Sequence, residues 1–469
     1  MKALVDPTHV LARGLTTIRS EFQVPNTFPA EVLAAADLAA RRQPTSHVDR
    51  TAWRFVTLDP ASSTDLDQAF AIKTSGTDLL LHYAIADVAW FVDDGDAIDL
   101  EAWRRGTTVY LPDGKAGLYP PVLSEGAASL LPDGPRPAVV FTVRVAPDGA
   151  ASLDGAERAI VRSAAKLAYD RVHDADLPTG FAELASRIEI AEDRRGAARV
   201  DPPEQEVVAV GGDGFALSFR PRLQSEDRNA ALSLATNIAI ANALQAHHTG
   251  LFRVMAEPDE RAIARLRHTA SALGLVWPET APLAQFERTL DAADPKQAAF
   301  MLAIRRAGKG ASYTPYREGV VPWHTAMGAT YAHGTAPLRR LADRYVVRAT
   351  LAIANGEAVP DVVSEAFAKL PQVMARADAR DGQIERAAID LAEAVMLTGR
   401  EGQDFQAVVT DVDDRGARMQ LCELPVVARI PANGLEPGER LSVKLIVADP
   451  GQRKISFRPD RIRHRNGGL

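Results

Sequence analysis

Cysteine is nearly absent from this sequence, in which Cys422 stands alone. A single cysteine excludes an internal disulfide bond and a metal site built from a cysteine cluster. Long apolar runs are absent too: no stretch reaches the length of a membrane span, and residues 1–7 lack the apolar core of a signal peptide. We therefore expect a cytoplasmic protein that has no membrane partner.

Basic residues are also fewer than acidic ones: the sequence has 54 Lys and Arg residues and 61 Asp and Glu residues, which gives a formal net charge of −7. This balance argues against a protein that binds nucleic acid through net charge alone, but not against an enzyme that concentrates basic groups locally. Basic residues do concentrate in two stretches, 339–348 and 453–465. The second stretch is consistent with a segment that follows a phosphate backbone and equally with a solvated basic end.

The length of 469 residues exceeds what one ordinary core holds, so we expect about two to four domains. Alanine-rich residues predict a helical segment within 1–50, strand patterns dominate from 51 to about 175, and helical patterns dominate from 226 to about 400. Five short strands between 403 and 460 favour a small closed barrel of OB type. The expected fold class is α+β, with domains at 1–50, 51–400 and 401–469.

One loop concentrates negative charge. Asp59, Asp65 and Asp67 lie within residues 59–69, which join two strand-like runs and contain no Lys or Arg. Crowded carboxylates repel one another unless a cation neutralises them, and their hard oxygens suit Mg²⁺ or Mn²⁺. The spacing alone is a weak signal, because a solvated acidic turn is the more common use of such a loop.

A second informative stretch, residues 324–348, predicts a helix that begins near Thr335. Arg339 and Arg340 then fall in its first turn, where cations oppose the helix dipole. They suit an anion held at this helix end by free backbone N–H groups and a guanidinium, which is the interpretation we favour. The alternative is a surface ion pair between Arg339 and Asp343, four residues further on.

Five segments carry a resemblance to a known family: residues 59–69, 82–92, 105–112, 123–130 and 331–343. Their order and spacing resemble those of the ribonuclease II family, the RNB-type exoribonucleases, over roughly residues 50 to 400. Residues 403–460 are similar to the C-terminal RNA-binding barrel of that family. No single segment decides the matter, but five segments in register are highly specific.

The resemblance implies a mixed α+β catalytic domain with OB barrels and processive, Mg²⁺-dependent hydrolysis of RNA from the 3′ end to 5′-mononucleotides. Mn²⁺ is the expected substitute for Mg²⁺. The implied partner is single-stranded RNA or RNA with a 3′ overhang, bound by a monomer. Residues 1–50 are too few for the barrels that usually precede the catalytic domain, so a helical segment is expected in their place.

The family's four-aspartate metal loop falls on Asp59, Asp65, Asp67 and Gln68, and the fourth position lacks the charge. Gln68 still offers a carbonyl oxygen, so the resemblance leaves open whether one or two ions bind. Arg339 matches the arginine of the family's Ser-Pro-Ile-Arg motif, here Ala-Pro-Leu-Arg. The resemblance therefore implies Asp65, Asp67 and Arg339 as catalytic residues, with Arg339 or a second ion stabilising charge on the phosphate.

The resemblance also implies a set of RNA-binding residues, which are Tyr110, Tyr169, Glu226, Arg339 and Arg340. Tyr110 matches a clamp tyrosine that stacks on a base, Tyr169 a tyrosine near the leaving nucleotide, and Glu226 an acid beside the last ribose. From the residues alone, Tyr110 is better explained as a core tyrosine and Glu226 as a carboxylate at a helix start.

Two other functions compete with the exoribonuclease. The missing charge at Gln68 suggests a non-catalytic RNA-binding protein on a degenerate RNB scaffold. The sequence of residues 65–67, Asp-Leu-Asp, suggests an aspartate-based phosphatase. That chemistry needs a Rossmann-like βαβ context, whereas a hairpin follows here, so the phosphatase is disfavoured.

Overall fold

The computed structural model describes residues 2–3, 9–197, 204–209, 214–220, 222–291, 294–308, 310–413, 415–432 and 434–460. Of the predicted basic stretch at 453–465, residues 461–465 lie outside the described residues. Within residues 1–50 the described part is mainly helical, as expected, and consists of β1 (Lys2–Ala3), α1 (Val10–Glu21), α2 (Ala30–Ala39) and the short strand β2 (Val48–Asp49).

A seven-stranded sheet forms the centre of the region between residues 51 and 400, because its strands are largely apolar and bury both faces. The strands from residue 55 to 168 are β3 (Phe55–Asp59), β4 (Gln68–Ser75), β5 (Asp78–Ala86), β6 (Val109–Leu111), β7 (Gly114–Ala116), β8 (Arg136–Val145), β9 (Ala151–Val161) and β10 (Ser163–Ala168). The sheet order is β10-β3-β4-β5-β8-β9-β2. Only the pairs β10–β3 and β9–β2 are parallel.

Strands β6 and β7 form a separate hairpin with two different faces. Val109, Leu111 and Ala116 are buried in a core shared with α1 and with residues 384–395. Tyr110 and Lys115 are opposite one another across the two strands and point away from that core. The hairpin therefore joins a packed inner face to a polar outer face.

Helices and short strands follow on both sides of the sheet, as the helical pattern after residue 226 predicts. They are α3 (Val88–Phe91), α4 (Ala97–Arg105), α5 (Phe181–Arg195), β11 (Glu204–Ala209), β12 (Phe215–Arg220), α6 (Gln224–Ala246), β13 (Leu251–Val254), α7 (Glu260–Ala272), α8 (Leu283–Glu287), α9 (Pro295–Ala307), β14 (Ser312–Pro315), β15 (Trp323–His324), β16 (Ala329–Thr330), α10 (Leu341–Ala354) and α11 (Asp361–Leu397). Among the described residues no helix is both long and apolar enough to cross a bilayer.

Two predicted boundaries are wrong. The near-continuous apolar run of residues 79–92 predicts one central strand, but β5 ends at Ala86 and α3 follows. An apolar run does not distinguish a buried strand from a buried helical turn. The helix expected near Thr335 begins at Leu341, with Arg340 as its N-cap. Long-range hydrogen bonds hold residues 336–340 in a turn, so Arg339 precedes the helix.

A five-stranded barrel forms the last part of the described chain. Its strands are β17 (Asp404–Asp413), β18 (Gly416–Leu421), β19 (Val427–Ile430), β20 (Arg440–Asp449) and β21 (Lys454–Pro459). All neighbouring pairs are antiparallel in the order β19-β18-β17-β20-β21. The two edge strands β19 and β21 also lie against each other, so the barrel is nearly closed. The α+β fold with a C-terminal OB-type barrel is confirmed.

Candidate active site

The acidic loop, residues 60–67, connects β3 to β4 and is held in shape by two side chains from outside it. Ser129 Oγ accepts from Leu66 N at 2.9 Å and donates to the carbonyl of Thr64 at 2.7 Å. Lys166 Nζ donates to the carbonyls of Ala61 and Ser63 at 2.9 and 2.5 Å. The positions of the loop carboxylates are thus fixed by contacts distant in sequence.

Asp67 is the anion that the turn at 336–340 binds. Its side chain is 2% exposed, Oδ1 accepts from Leu338 N at 2.7 Å, and Oδ2 accepts from Arg339 Nε at 2.6 Å. Burial raises the pKa of Asp67 to about 6, while the Arg339 guanidinium opposes this increase. The predicted anion site therefore exists, but a carboxylate of the protein occupies it.

The alternative ion pair between Arg339 and Asp343 is absent among the described contacts. Asp343 instead accepts from Arg340, with Nε–Oδ1 at 2.9 Å and Nη2–Oδ2 at 2.8 Å. Asp343 Oδ2 also accepts from Ala336 N at 2.8 Å, which fixes the start of the turn. The two neighbouring arginines thus bind different carboxylates: Arg339 binds Asp67 of the acidic loop, and Arg340 binds Asp343.

Asp65 is held from the hairpin. Its Oδ2 accepts from Tyr110 OH at 2.7 Å and its Oδ1 from Lys115 Nζ at 2.7 Å. Lys115 Nζ also lies 3.1 Å from Thr64 Oγ1 and 3.2 Å from Glu125 Oε1. Tyr110 is 52% exposed, so it is not a core tyrosine.

Sequence reasoning missed Lys115 and Glu125. The usable signal was the Pro-Asp-Gly turn at residues 112–114, which predicts a tight hairpin and places Lys115 opposite Tyr110. Once Tyr110 is assigned to the site, the hairpin register brings Lys115 there as well.

The remaining predicted metal ligands differ from one another. Asp59, the last residue of β3, has a buried Oδ2 without a hydrogen-bond partner, and burial raises its pKa to about 7. The neighbouring carboxylates of Asp67 and Asp65 raise this pKa further, whereas Arg339 lowers it. The amide oxygen of Gln68 accepts from the buried Tyr83 hydroxyl at 2.8 Å.

The arrangement of the four predicted metal ligands differs from that of a metal-binding cluster. Carboxylate oxygens have the chemistry that Mg²⁺ prefers, but within the part of the chain that the structure describes, no three His, Cys, Asp or Glu residues are grouped as a metal site. Of the four predicted ligands, only Asp59 has an oxygen that no protein donor contacts. The residues as arranged do not fit the predicted metal cluster.

Tyr169 and Glu226 lie beside the loop in supporting positions. Tyr169 N donates to the carbonyl of Asp59 at 3.2 Å, and its hydroxyl accepts from Asn229 at 2.9 Å. Burial raises the pKa of Tyr169 to about 12, so it is a neutral hydrogen-bonding group at neutral pH. Glu226 accepts from Leu223 N at 2.8 Å and from Arg220, which makes it a carboxylate at the start of α6, as the residues alone suggested.

The site is assembled from three separate segments. Thr108 N donates to the Arg339 carbonyl at 2.9 Å, and Leu341 N donates to the Gly106 carbonyl at 3.0 Å. These bonds join the turn at 336–340 to the chain that leads into the hairpin. The loop carboxylates, the Tyr110 ring and the Arg339 guanidinium are brought together as a consequence.

Comparison with known proteins decides the family of this fold. The family model of the RNB domain matches residues 47–356, more than half of the chain. The chain belongs to the RNB domain family. A second model, the RNase II-type exonuclease C-terminal S1 domain, matches residues 403–460 of this RNB protein, which contain β17 to β21.

Individual relatives agree with this assignment. Ribonuclease R of Aquifex aeolicus is 26% identical over 486 aligned positions, covering 96% of this chain and 66% of the relative. Ribonuclease R of Escherichia coli is also 26% identical, covering 86% of this chain and 56% of its own length. The RNB protein thus spans between about half and two thirds of the length of these relatives.

Solved structures share the fold. Mycoplasma genitalium RNase R in complex with ribose-methylated single-stranded RNA has a TM-score of 0.85 at 20% identity, covering 96% of this chain and 78% of that one. Yeast Ssd1, a pseudonuclease, has a TM-score of 0.67 at 14% identity, and the match covers 95% of this chain and 58% of Ssd1. Because both an RNA-bound ribonuclease and a pseudonuclease share it, the fold alone does not decide catalysis.

Proposed function

We propose that this RNB protein is an exoribonuclease that hydrolyses RNA from its 3′ end and releases 5′-mononucleotides. Residues 51–400 form the catalytic unit in this proposal, and residues 401–469 form an RNA-binding barrel. The observation that carries it is the convergence of Asp59, Asp65 and Asp67 with Arg339 and Tyr110 from two other segments. Carboxylates, a guanidinium and an exposed aromatic ring are the groups that phosphodiester hydrolysis on single-stranded RNA requires.

Arg339 and Tyr110 make the proposed RNA contacts. The Arg339 side chain is 41% exposed while its Nε holds Asp67, so the outer part of the guanidinium suits a phosphate oxygen. The exposed ring of Tyr110 suits stacking on a base of any sequence. Tyr169, held by Asn229 next to Asp59, supports the same end of the site.

Dependence on Mg²⁺ or Mn²⁺ stays a prediction of the family resemblance. Asp59 has the one predicted ligand oxygen that lacks a protein partner, and the oxygens of Asp65 and Asp67 are bonded to cationic and neutral donors. Hydrolysis assays with Mg²⁺, with Mn²⁺ and with a chelator decide this point separately from the question of activity.

The test of the proposed function is degradation of a 5′-labelled RNA, as a single strand and as a duplex with a 3′ overhang. We expect progressive shortening of the labelled strand and release of 5′-mononucleotides. Asp67→Asn removes the charge that faces Arg339 and is expected to slow hydrolysis by about 10²–10³-fold, the size seen when one group that stabilises transition-state charge is lost.

The matched control is Asp37→Asn, because Asp37 is an exposed carboxylate on α2. This variant should degrade RNA as the wild type does. Equal rates for the wild type and Asp67→Asn would contradict the assigned site, and RNA that is bound but never shortened would contradict the enzyme.

A non-catalytic RNA-binding protein is the second candidate. It is favoured by one observation: the Gln68 amide is turned to the buried Tyr83 hydroxyl, at the position where the family resemblance expects a fourth carboxylate. This candidate predicts RNA retention without product. Gain of hydrolysis by Gln68→Asp, from none in the wild type, would support it.

A further inference from the structure

Lys115 is the one lysine of the hairpin β6–β7, and its ammonium lies where oxygens of the acidic loop and its surroundings converge. The three oxygen neighbours of Nζ are Asp65 Oδ1 at 2.7 Å, Thr64 Oγ1 at 3.1 Å and Glu125 Oε1 at 3.2 Å. The ammonium donates hydrogen bonds to Asp65 and Thr64, and Glu125 adds an ion pair. Two carboxylates and a hydroxyl also form the kind of oxygen set that a hard divalent ion binds.

The charges around this point explain why a cation belongs there. Four carboxylates, those of Asp59, Asp65, Asp67 and Glu125, face three cations, which are Lys115, Lys166 and Arg339. Asp65 is 9% exposed and Asp67 is 2% exposed, so water screens their repulsion poorly. Without Lys115, Asp65 and Glu125 would lose the cation that contacts both of them, and only Arg339 and Lys166 would remain near the four carboxylates.

The position of Lys115 is fixed by the fold. Its neighbours Gly114 and Ala116 belong to a strand whose inner face is packed with Val109 and Leu111 in the core shared with α1. Across the hairpin, Tyr110 donates to the other oxygen of Asp65. One short hairpin therefore supplies both partners of this carboxylate, one cationic and one neutral.

We propose that Lys115 is a built-in cation of the RNB site: its ammonium takes the place of a divalent ion at the oxygens of Asp65, Thr64 and Glu125, and it positions Asp65 beneath Tyr110. Lys115 is thus a positioning residue, and Asp65 holds the hairpin instead of a metal. The role in hydrolysis rests on the proposed function, whereas competition between Lys115 and a divalent ion is a property of the folded chain.

The proposal is tested by equilibrium dialysis of Mn²⁺ against the full chain without RNA. Lys115→Met frees three oxygens and leaves the site more negative, so Mn²⁺ affinity is expected to rise about tenfold or more, since repulsion between unit charges a few ångströms apart exceeds 1 kcal/mol near a protein surface. Adding Asp65→Asn to Lys115→Met should abolish that gain. Unchanged or weaker Mn²⁺ binding by Lys115→Met would overturn the proposal.

Two further variants control for charge and folding. Lys369→Met removes an exposed lysine that pairs with Glu365 on α11, and it should bind Mn²⁺ as the wild type does. Lys115→Arg keeps the cation and should keep the low affinity. If Lys115→Met does not fold, Lys115→Gln replaces it, because its amide still donates to Asp65 without carrying charge, and the same gain is expected.

Failure of this proposal and failure of the proposed function are distinguishable. Higher Mn²⁺ affinity in Lys115→Met together with no RNA degradation by the wild type supports the built-in cation and contradicts the exoribonuclease. Degradation of RNA by the wild type together with unchanged Mn²⁺ affinity in Lys115→Met supports the exoribonuclease and contradicts the built-in cation.

Discussion

Two regions of this protein bury carboxylates and treat them differently. In the acidic loop, Asp67 accepts from the cationic Arg339, and its pKa is raised to about 6. Where α11 meets the barrel, Glu393 is 3% exposed and accepts only from neutral donors, Val427 N at 2.8 Å and Gln205 Nε2 at 2.6 Å, and burial raises its pKa to about 8. A cation keeps a buried carboxylate charged near neutral pH, whereas neutral donors leave it to bind a proton.

Asp67 is therefore suited to a role that depends on its negative charge, whereas Glu393 is suited to a structural role as a hydrogen-bond acceptor. Asp67 is useful to phosphodiester chemistry only when ionised, and the Arg339 guanidinium opposes the increase in its pKa. Glu393 links β11, α11 and β19 through hydrogen bonds that a protonated carboxyl group also accepts.

The largest effect is expected when Asp67 loses its cationic partner, Arg339. Arg339→Met leaves the buried Asp67 without its guanidinium, so we expect hydrolysis of RNA to fall by about 10²–10³-fold. The free energy of unfolding should also fall, by roughly 2 kcal/mol, because the buried Asp67 loses its cation while solvent around the exposed part of Arg339 reduces the effect. Single-turnover hydrolysis and urea unfolding measure the two effects.

Arg340→Met is the matched control for Arg339→Met. It removes the cation from Asp343, which is fully buried, so stability should decrease comparably. The folded fraction should nevertheless retain hydrolysis within about tenfold, because Arg340 contacts no loop carboxylate. An equal loss of activity in both variants would remove the distinction between the two arginines.

The next effect concerns pH and the junction with the barrel. The folded pKa of Glu393 is about 8 against an ordinary 4.5, so the folded state binds the proton more tightly and stability falls as pH rises through this interval. Glu393→Gln keeps the acceptor oxygen and cannot ionise. We expect the decrease in unfolding free energy between pH 5 and about pH 8 to be smaller in this variant than in the wild type.

Urea unfolding at several pH values measures this slope, with Glu365→Gln as the control because Glu365 is exposed on the same helix. Other groups near Glu393 are Asp390 and Arg418, and Asp59 and Glu287 also have raised pKa values, so only the difference between slopes is assigned to Glu393. Identical slopes for the wild type and Glu393→Gln would show that Glu393 is ionised in the folded protein.

The smallest effect is expected when a neutral donor is removed from a carboxylate that keeps its cation. Tyr110→Phe deletes the bond to Asp65, whereas Lys115 remains, so hydrolysis should fall only about two- to fivefold. Tyr110→Ala also removes the ring, and RNA affinity should fall by about tenfold or more through loss of stacking. Fluorescence anisotropy of labelled RNA separates the two variants, and a similar affinity for both would argue against stacking.

The sequence predicted the elements whose signals are local. Residues 69–73 and 79–88 predict a hairpin, which corresponds to β4 and β5. Asp294-Pro295 predicts the start of a helix, and Asp294 accepts from Lys296 N as the N-cap of α9. The α+β class and the barrel followed from the same local patterns.

The parts of the site that were missed depend on contacts between distant residues. The turn before α10 is set by Asp67, 271 residues from Leu338 in sequence, so helix signals near Thr335 placed the start too early. The Lys115–Asp65 pair spans 50 residues and depends on the hairpin register. The density of carboxylates and Arg339 were visible in the sequence, whereas the pairing of Lys115 with Asp65 was not.

The hairpin also has a consequence for the timing of synthesis. Its inner face packs with α1, and residues 384–395 of α11 complete the same core. Arg19 also binds the hairpin turn, because its Nη2 and Nε donate to the Asp113 carboxylate at 2.8 and 3.0 Å. A chain leaves the ribosome with its N-terminus first. Roughly three hundred residues must therefore be synthesised after α1 and the hairpin before that core can be completed. In the proposed nuclease, the hairpin that bears Tyr110 and Lys115 therefore lacks part of its core until α11 has been made.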